Sequence, residues 1–422
     1  MNYRLILRLP PKSKILVYAQ ILWVMIMLWL RDVVGLPSLV TYVTDVFVVC
    51  LLIFQMQRIR YHVRCSGVTS QSRIISCILI CILVGVILNL VNPMLVLWAA
   101  RNNLRFYAFF FICIGVLDVW DIDKIFSMLK KWFWINVAMA SFQYFALGLD
   151  GDHLGGFFGI VEGCNAFLNI LMCSVMAKVM AEYFTGKLKL GKLILYLTAM
   201  FYVALLAELK LYYAEAIMMF LVAEICTKPS VKTVLLCLLG VLVLGLAFYV
   251  LIIIDPQAFA IFMEADALEY YLKGNGYTNS GDLNRFTAIS QIHSMFFDGN
   301  WIHSLFGFGF GNCEGSQFEF LQSEFFLQYN HLHYRWFTHA WVYLEQGALG
   351  LVLLVLFFVS VFVTTLRRKS ENRADLYLTV LLFVSTCFIG LIYNCAVQLE
   401  CCYYIAFMCA ITFILTRVNK EA

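Results

Sequence analysis

Long apolar runs restrict the fold of this chain more than any other feature of its sequence. The runs extend over roughly 16 to 22 residues each and contain few charges. Hydrophobic residues make up 63% of the 422 residues and charged residues 13%, with a mean hydropathy of +0.84. A soluble domain has no way to bury that much apolar surface, whereas a lipid bilayer dissolves it. The chain is therefore predicted to be an integral membrane protein.

The composition of the runs distinguishes helices from strands. Strands of a membrane barrel alternate apolar and polar residues, whereas these runs are continuously apolar and match the roughly 20 residues that one helix needs to cross a bilayer. The expected fold is all-α, a polytopic helix bundle with about 12 transmembrane helices. The predicted spans are 15–30, 39–56, 75–91, 106–119, 132–148, 165–184, 193–209, 211–226, 233–254, 344–365, 377–394 and 399–416.

Basic residues predict the orientation of the bundle. Most of the 30 Lys and Arg residues fall in segments that are cytoplasmic if the N-terminus is inside, as the positive-inside rule requires. The net charge of +4 is then explained by basic residues that face the anionic lipids of the inner leaflet, and no nucleic-acid partner is expected. No small-x-small cleavage site follows the first span, so it is expected to stay as an anchor. Most of the 15 cysteines lie inside predicted helices, and no disulfide pairing follows from their spacing.

One long polar segment divides the chain into three parts. Residues 1–254 are predicted to form a transmembrane bundle of about nine helices, and residues 339–422 about three more. Residues 255–338 between them form a large outer loop, which is too long for a simple turn. We expect this loop to carry the function.

Two stretches of the loop, 258–274 and 280–297, have apolar residues at helical spacing and predict amphipathic helices. Ser280 and Asp282 are the expected N-caps of the second helix. Arg285 would lie on that helix, whose apolar face would direct the guanidinium toward the bundle. A solvated arginine on the polar face is the alternative.

The return from the loop to the membrane carries a histidine with charged neighbours. His339 has Arg335 four residues before it and Glu345 six residues after it. Ionisable residues at membrane level are costly and are candidates for function. Since the unperturbed pKa of histidine lies near the working pH, we expect His339 to act as a general base. A helix-terminal histidine that only bonds a backbone carbonyl is the alternative.

Further basic residues stand at the outer ends of predicted helices. Arg101 and Arg105 are four residues apart, so they share one helix face and can grip adjacent phosphates of one ligand. Anchoring at lipid headgroups explains the pair equally well. Lys210, between two long apolar runs, is expected to contact a ligand, with an ion pair to Glu208 or Glu215 as the alternative.

Two other patterns do not predict a cofactor site. His331, His333 and His339 lack a cysteine or carboxylate at familiar ligand spacing, so no metal site is expected. The glycines of 307–312, GFGFGN, lie outside the strand-turn-helix context that a nucleotide fingerprint needs. They are expected to form a tight turn with close backbone approach.

Taken in order, these features resemble the bacterial O-antigen and capsule polymerases of the Wzy type and the related O-antigen ligases. The resemblance covers essentially the whole chain in topology, and its specific motifs are concentrated between Arg285 and Gly350. It is carried by Arg101 and Arg105, by GGFFGIVEGCNAF with Asn165, by Lys210, by Arg285 in the outer loop, by LFGFGFGN, and by His339 before an E-x-G-x-x-G helix start with Glu345, Gly347 and Gly350.

The resemblance implies a GT-C-like fold and metal-independent glycosyl transfer, without a cofactor, on the periplasmic face of the bacterial inner membrane. A polyprenyl-pyrophosphate-linked oligosaccharide would be both donor and acceptor, and membrane lipids, a chain-length regulator and a flippase would be partners. Arg285 and Lys210 would hold the donor pyrophosphate, and His339 would deprotonate the acceptor hydroxyl as the catalytic base. The implied substrate-binding residues are Arg101, Arg105, Asn165, Lys210, Arg335 and Glu345.

Two further functions compete with the polymerase. An O-antigen ligase or oligosaccharyltransferase would use the same donor, but the ligase pattern has arginine where Lys210 stands and a longer gap between its histidine and the glycines. A polysaccharide flippase or transporter would carry charges through the middle of its helices and show repeated halves. Asp45 is a rare mid-span charge in this chain. The sequence therefore favours the polymerase.

Overall fold

The computed structural model describes residues 12–227 and 281–421, together with the isolated positions 245, 249 and 253. All regular structure in these residues is helical, and no strand is found among them. The predicted span 233–254 lies outside the described residues apart from the three isolated positions, and so does the whole of the predicted amphipathic helix 258–274.

Eleven long helices and three short ones account for the described parts of the chain. In chain order they are α1 (Lys12–Asp32), α2 (Val43–Cys65), α3 (Thr69–Leu88), α4 (Pro93–Val116), α5 (Val119–Leu147), α6 (Asn165–Phe184), α7 (Leu190–Leu206), α8 (Lys210–Cys226), the short α9 (Ala288–Ile292), α10 (Trp301–Phe306) and α11 (Glu324–Tyr329), and α12 (Thr338–Arg368), α13 (Ala374–Tyr393) and α14 (Cys402–Glu421). Each long helix overlaps one predicted span. The all-helical fold is thus confirmed for the described residues.

Six of these helices are long and apolar enough to cross a membrane. They are Lys12–Asp32, Ser38–Cys65, Thr69–Leu88, Asn165–Phe184, Thr338–Arg368 and Ala374–Tyr393. In the second of them, α2 is extended by a 3-10 turn, Ser38–Tyr42. Two shorter apolar helices, Leu190–Leu206 and Cys402–Val418, accompany them in the described residues.

The long helices differ in how deeply they lie in the bundle. In α6 and α13, 89% and 72% of the most apolar stretch is buried, whereas in α2 only 17% is. α13 packs against α6, α8 and α12, while α4 packs against α2 and α14. α6 and α13 therefore form the interior, and α2 turns most of its apolar surface outward, as a helix in contact with lipid does.

The ends of α4 and α5 follow from capping residues in the sequence. The Asn92 side chain accepts a backbone N–H of the first turn of α4 at 2.9 Å, and Pro93 stands at the first position, where no N–H is needed. Asp118 and Asp121 form a capping box at the start of α5. Gly148 ends α5 in the left-handed conformation with φ 68°. These caps set the register of both helices.

α12 is broken at Gly347, where φ is 62° and ψ is −165°. A Cβ atom on Gly347 would lie 2.3 Å from the carbonyl carbon of Leu305, and one on Gly307 would lie 2.5 Å from the Leu344 oxygen. The Phe308 N–H donates to that Leu344 oxygen at 2.7 Å. The glycine-rich turn and the broken helix thus interlock backbone to backbone, which satisfies polar groups that lipid would leave unpaired.

The second predicted helix of the outer loop is much shorter than expected. The prediction extended over 280–297, whereas α9 has five residues and is followed by a π-helical turn, His293–Phe297. The N-cap position is Thr287, so the predicted N-cap Asp282 is wrong, and Ser280 lies outside the described residues.

Hydrogen bonds hold the chain ahead of α9 out of a helix. The Leu283 N–H donates to the Leu332 oxygen at 3.0 Å, and the Asn284 side chain accepts the N–H of Phe286 at 2.9 Å. An asparagine that bonds its own following backbone competes with helix formation. Arg285 consequently lies in the turn before α9, not on the helix where it was predicted.

The described part of the outer loop packs on the first turns of α12. Its buried residues Ile292, Phe297 and Tyr334 form one apolar cluster with Trp341 and Leu344 of α12. Burial of these aromatic and aliphatic side chains fixes the loop against the helix. The cluster positions the residues that surround the start of α12.

Candidate functional site

The candidate site lies where the outer loop rejoins the bundle at the start of α12. Thr338 donates its backbone N–H to the Asn394 oxygen at 2.9 Å and its hydroxyl to Gln398 Oε1 at 2.8 Å. Asn394 and Gln398 belong to the connection between α13 and α14. These two bonds therefore join the start of α12 to that connection.

Both ring nitrogens of His339 face backbone carbonyls. Nδ1 lies 3.2 Å from the Leu391 oxygen, and Nε2 lies 2.9 Å from the Arg285 oxygen. Leu391 stands in the last turn of α13, where carbonyls lack a partner within the helix. A neutral imidazole has one N–H, so the ring donates to both carbonyls only when it carries a second proton. The carbonyl contact given above as the alternative to a base role is present, and Nε2 is covered by Arg285.

Arg285 rests on aromatic rings beside His339. Its guanidinium carbon lies 3.8 Å from the centre of the Tyr393 ring and 5.4 Å from that of Phe337. Such contacts attract a cation through the negative face of the ring. They fix the guanidinium between the start of α12 and the end of α13, while the backbone of the same residue contacts His339.

Glu345 lies inside the protein and holds the glycine-rich turn. Its Oε1 accepts the backbone N–H groups of Gly311 and Cys313 at 3.1 and 3.2 Å. The side chain is buried, with 1% of the residue exposed. A carboxylate that accepts two backbone N–H groups orders the loop that supplies them. Its hydrogen bonds within the described residues are with the turn.

Glu314 is a second buried carboxylate, next to the same turn. Its two oxygens accept the Asn102 and Asn103 amides of α4 at 2.9 and 3.3 Å. Burial raises the pKa of the Glu314 carboxyl, and the positive charge of Arg335 opposes that rise. The residue links α4 to the turn, and the sequence interpretation missed it.

Arg335 is also held on aromatic rings. Its guanidinium carbon lies 4.6 Å from the ring centre of Trp341 and 5.3 Å from that of Phe326. A Cβ atom on Gly315 would lie 2.3 Å from Arg335 Nη1, so glycine leaves room for the guanidinium in its present position. Arg335 therefore stands by the Glu314 carboxylate with its plane fixed by packing.

Arg101 and Arg105 do share one face of α4, as their spacing predicted, and they meet the same carboxylate. Arg105 Nη1 lies 2.8 Å and Arg101 Nη2 3.6 Å from Glu400 Oε1, and Arg101 Nε donates to Asp45 Oδ2 at 2.8 Å. Burial alone would raise the pKa of the Glu400 carboxyl, but the two guanidinium groups outweigh it and hold the pKa below its ordinary value. Within the described residues, the two arginines thus pair with internal carboxylates.

Lys210 and Asn165 belong to a different group of contacts. Asn165 Nδ2 donates to Asp152 Oδ1 at 2.8 Å and to the Ala207 oxygen at 3.2 Å, so it ties the start of α6 to the end of α7. Lys210 is exposed at the start of α8. No contact within the described residues joins either side chain to the site at the start of α12.

An ion pair between Lys210 and Glu215 was one interpretation of the sequence. Glu215 instead accepts the Asn169 amide at 2.8 Å and the Cys173 thiol at 3.0 Å. These partners lie on α6, inside the bundle, whereas Lys210 is exposed. Glu215 is therefore engaged elsewhere.

The histidines of the outer loop do not converge. The His333 ring stacks on Trp336 at 4.0 Å between ring centres, and His331 is exposed. Among the described residues, no group of three or more His, Cys, Asp or Glu side chains is arranged to hold a metal ion.

The site contains carboxylates that the search for basic residues did not assign. Glu314 follows the glycine-rich turn directly, and Glu400 stands between two apolar runs near the C-terminus. Asp45 was noted as a rare charge within a span but received no role. For Asp45 and Glu400 the available signal was an acidic residue in a predicted apolar span, because a charge at that depth needs a partner. Glu314 lies in the loop and carried no such signal.

The site thus brings together six of the eight predicted residues around the start of α12 and the α13–α14 connection, and leaves two aside. No protein-family model matches the sequence of this chain, and no characterised protein matches it.

Proposed function

We propose that this protein is a glycosyltransferase of the bacterial inner membrane that polymerises polyprenyl-pyrophosphate-linked oligosaccharide repeat units. Its chain would cross the membrane about twelve times, with both termini in the cytoplasm and the reaction on the periplasmic face. The product would be an O-antigen, a capsule or an exopolysaccharide. The ordered motifs of the sequence support this proposal, and so does the group of residues at the start of α12.

The observation that carries the proposal is that a cation, Arg285, and an imidazole, His339, lie side by side at the start of α12. Nε2 of His339 lies 2.9 Å from the Arg285 oxygen, and the guanidinium of the same arginine stacks on Tyr393. Glycosyl transfer from a pyrophosphate needs a cation for the departing charge and a base for the acceptor hydroxyl. Arg285 and His339 supply one group each.

In the proposed reaction the acceptor oxygen bonds to the anomeric carbon of the donor. The bond from that carbon to the pyrophosphate breaks, its electron pair leaves with the phosphate oxygen, and the hydroxyl proton passes to Nε2 of His339. Nδ1–H donates to the Leu391 oxygen, 3.2 Å away, and keeps the ring oriented. The acceptor hydroxyl must replace the Arg285 oxygen as the partner of Nε2, so the turn that carries Arg285 moves when substrate binds.

The charges around His339 suit the binding of an anionic leaving group. The nearby arginines are paired with carboxylates, so the site carries no large excess of positive charge before substrate binds. α12 extends for 31 residues, and the partial positive charge at its N-terminal end favours an anion beside His339. We assign Arg101, Arg105 and Arg335 secondary contacts, since their charges are shared with nearby carboxylates. Lys210, which is exposed, would contact the donor away from the reacting phosphate.

The experiment that tests this function uses the purified full-length protein in detergent. The protein is incubated with the polyprenyl-pyrophosphate repeat unit of its host as the only sugar lipid, in the presence of a chelator, and the products are resolved on a gel. A ladder of lengths is the expected result. Transfer that starts only when lipid A core is added would identify a ligase instead. Inertness with both acceptors would overturn the proposal.

Two matched pairs of variants locate the reaction. Arg285→Ala and His339→Ala are expected to abolish the ladder, whereas Arg60→Ala and His331→Ala, at exposed positions, are expected to retain it. A ladder of normal intensity from His339→Ala would show that His339 is not the general base.

A further inference from the structure

Three aromatic rings from separate segments meet beside Arg101. Tyr42 ends the turn before α2, Trp98 lies in the second turn of α4, and Phe318 belongs to the outer loop. Their ring centres are 6.1 Å apart for Tyr42 and Trp98, 6.3 Å for Trp98 and Phe318, and 6.5 Å for Tyr42 and Phe318. Phe318 is 38% exposed, so the cluster reaches the surface.

The cluster is fixed from within the protein. The Trp98 indole N–H donates to the Gly315 oxygen at 3.3 Å, and the Arg101 guanidinium carbon lies 4.7 Å from the Tyr42 ring centre and 5.2 Å from that of Trp98. Tryptophans that anchor a protein at the membrane interface turn the indole N–H toward water and headgroups. Trp98 turns it inward, so the partly exposed ring presents apolar surface where Arg101 and Phe318 do not cover it.

Groups of both polarities stand beside the rings. Asp45 accepts from Arg101 Nε at 2.8 Å, and its side chain is still 22% exposed. Arg101 Nη2 is buried and makes no hydrogen bond within the described residues, with Glu400 Oε1 3.6 Å away. A partly exposed carboxylate accepts hydrogen bonds from the hydroxyl groups of a sugar, and Arg101 holds this carboxylate beside the rings.

We propose that Tyr42, Trp98 and Phe318, with Asp45 and Arg101, form a binding site for a neutral stretch of saccharide. One sugar ring stacks on the exposed aromatic surface, and its hydroxyls donate to the exposed part of the Asp45 carboxylate. Sites for small polar ligands combine apolar walls with a few placed polar groups in this way.

The site is continuous with the one at the start of α12. Arg101 and Arg105 meet the same Glu400 oxygen, and the connection that carries Glu400 also bonds Thr338 through Gln398. A chain held on the rings therefore extends from the reacting end of the substrate. The inference rests on the proposed function for the identity of the sugar, while binding is measured without any reaction.

The test measures binding of the host's repeat-unit oligosaccharide after mild acid has released it from its lipid and phosphate. Saturation-transfer NMR on the purified protein in nanodiscs gives the dissociation constant for the wild type, Trp98→Leu, Phe318→Ala and Asp45→Asn. Trp120→Leu is the matched control. Trp120 is an exposed tryptophan in the first turn of α5, just beyond the end of α4 that lies away from Trp98. Each variant of the cluster is expected to weaken binding about fivefold or more, and the control to leave it unchanged.

Several outcomes would overturn the site. They are absence of binding by the wild-type protein, binding that the cluster variants leave unchanged, and equal weakening by Trp120→Leu. Phe318→Ala alters an exposed loop residue and keeps the test valid if Trp98→Leu fails to fold. The two proposals separate cleanly. If the protein forms the polymer but the cluster variants do not weaken oligosaccharide binding, the saccharide site is refuted and the proposed function stands. If the protein binds the oligosaccharide through the cluster but never polymerises it, the proposed function is refuted and the saccharide site stands.

Discussion

Glu345 accepts the backbone N–H of Gly311 at 3.1 Å, and this bond joins a membrane helix to the glycine-rich turn of the outer loop. The same oxygen accepts the Cys313 N–H, so one carboxylate holds both sides of a short turn. Gly307 and Gly347 allow the two backbones to approach closely enough for this arrangement. The turn and the break in α12 are therefore one structural unit.

Replacement of Glu345 tests that unit. Glu345→Ala would leave two buried N–H groups without an acceptor and is expected to destabilise the protein by about 2 to 4 kcal/mol. Glu345→Gln keeps an acceptor oxygen and should cost much less. Thermal unfolding of the purified protein in detergent measures both. Equal melting temperatures for the alanine variant and the wild type would contradict the assignment.

Gly307→Ala is expected to lower the melting temperature further than a usual glycine substitution. The new Cβ atom would lie 2.5 Å from the backbone of α12, at a residue whose φ is 69°. Gly191→Ala in α7 is the control, since within the described residues no atom beyond its own helix and chain neighbours lies within 4 Å of its Cβ position. The control should be neutral or slightly stabilising because alanine favours a helix. Similar losses in both variants would show that the close approach has no special role.

Arg417 is expected to be essential for stability. It is fully buried, donates to the Ile114 and Leu117 oxygens at the end of α4, and pairs with Asp118 at 2.6 Å. Arg417→Ala would leave these acceptors unpaired and is expected to cost about 3 kcal/mol. Thermal unfolding of Arg417→Ala and of the exposed-site variant Arg60→Ala checks the prediction. A fall in melting temperature no greater than that of Arg60→Ala would contradict it.

The ion pair of Glu400 with Arg105 predicts a pH dependence of stability. The folded-state pKa of Glu400 is lowered, because the attraction of the guanidinium groups outweighs burial. The stabilisation is therefore fully present above the ordinary pKa of a glutamate and is lost as the pH falls through the lowered value. The difference in melting temperature between the wild type and Glu400→Gln should be largest near pH 7 and should shrink below about pH 4. A difference that grows in acid would reverse the sign and refute the pairing.

The activity of His339 variants separates a base from a residue that only positions the chain. His339→Ala is expected to reduce polymerisation by about 100-fold or more, as the loss of a general base does. His339→Gln can still donate to the Leu391 oxygen, so it should fold normally and remain inactive. Polymerisation rates and melting temperatures of both variants give the answer. Restored activity in the glutamine variant would show that the hydrogen bond to Leu391 is all that the position requires.

The main features of the fold were predictable from the apolar runs. Each run had to become a helix wherever lipid surrounds it, because the backbone finds no other hydrogen-bond partner there. α6 begins and ends at the predicted residues, Asn165 and Phe184. Local helical spacing was misleading at 280–297, where a bond from Leu283 to the distant Leu332 competes with the helix.

The basic residues of the candidate site were predictable from the sequence, but the carboxylates that pair with them were not. The spacing of Arg101 and Arg105 placed both on one face of α4, and their carboxylate partner became visible only in the folded chain. Glu400 lies 295 positions beyond Arg105, and Glu314 lies 212 beyond Asn102. Apolar composition and basic-residue placement are local properties that a sequence carries in full. Pairing of buried charges depends on which helices pack together, and only the tertiary structure decides that.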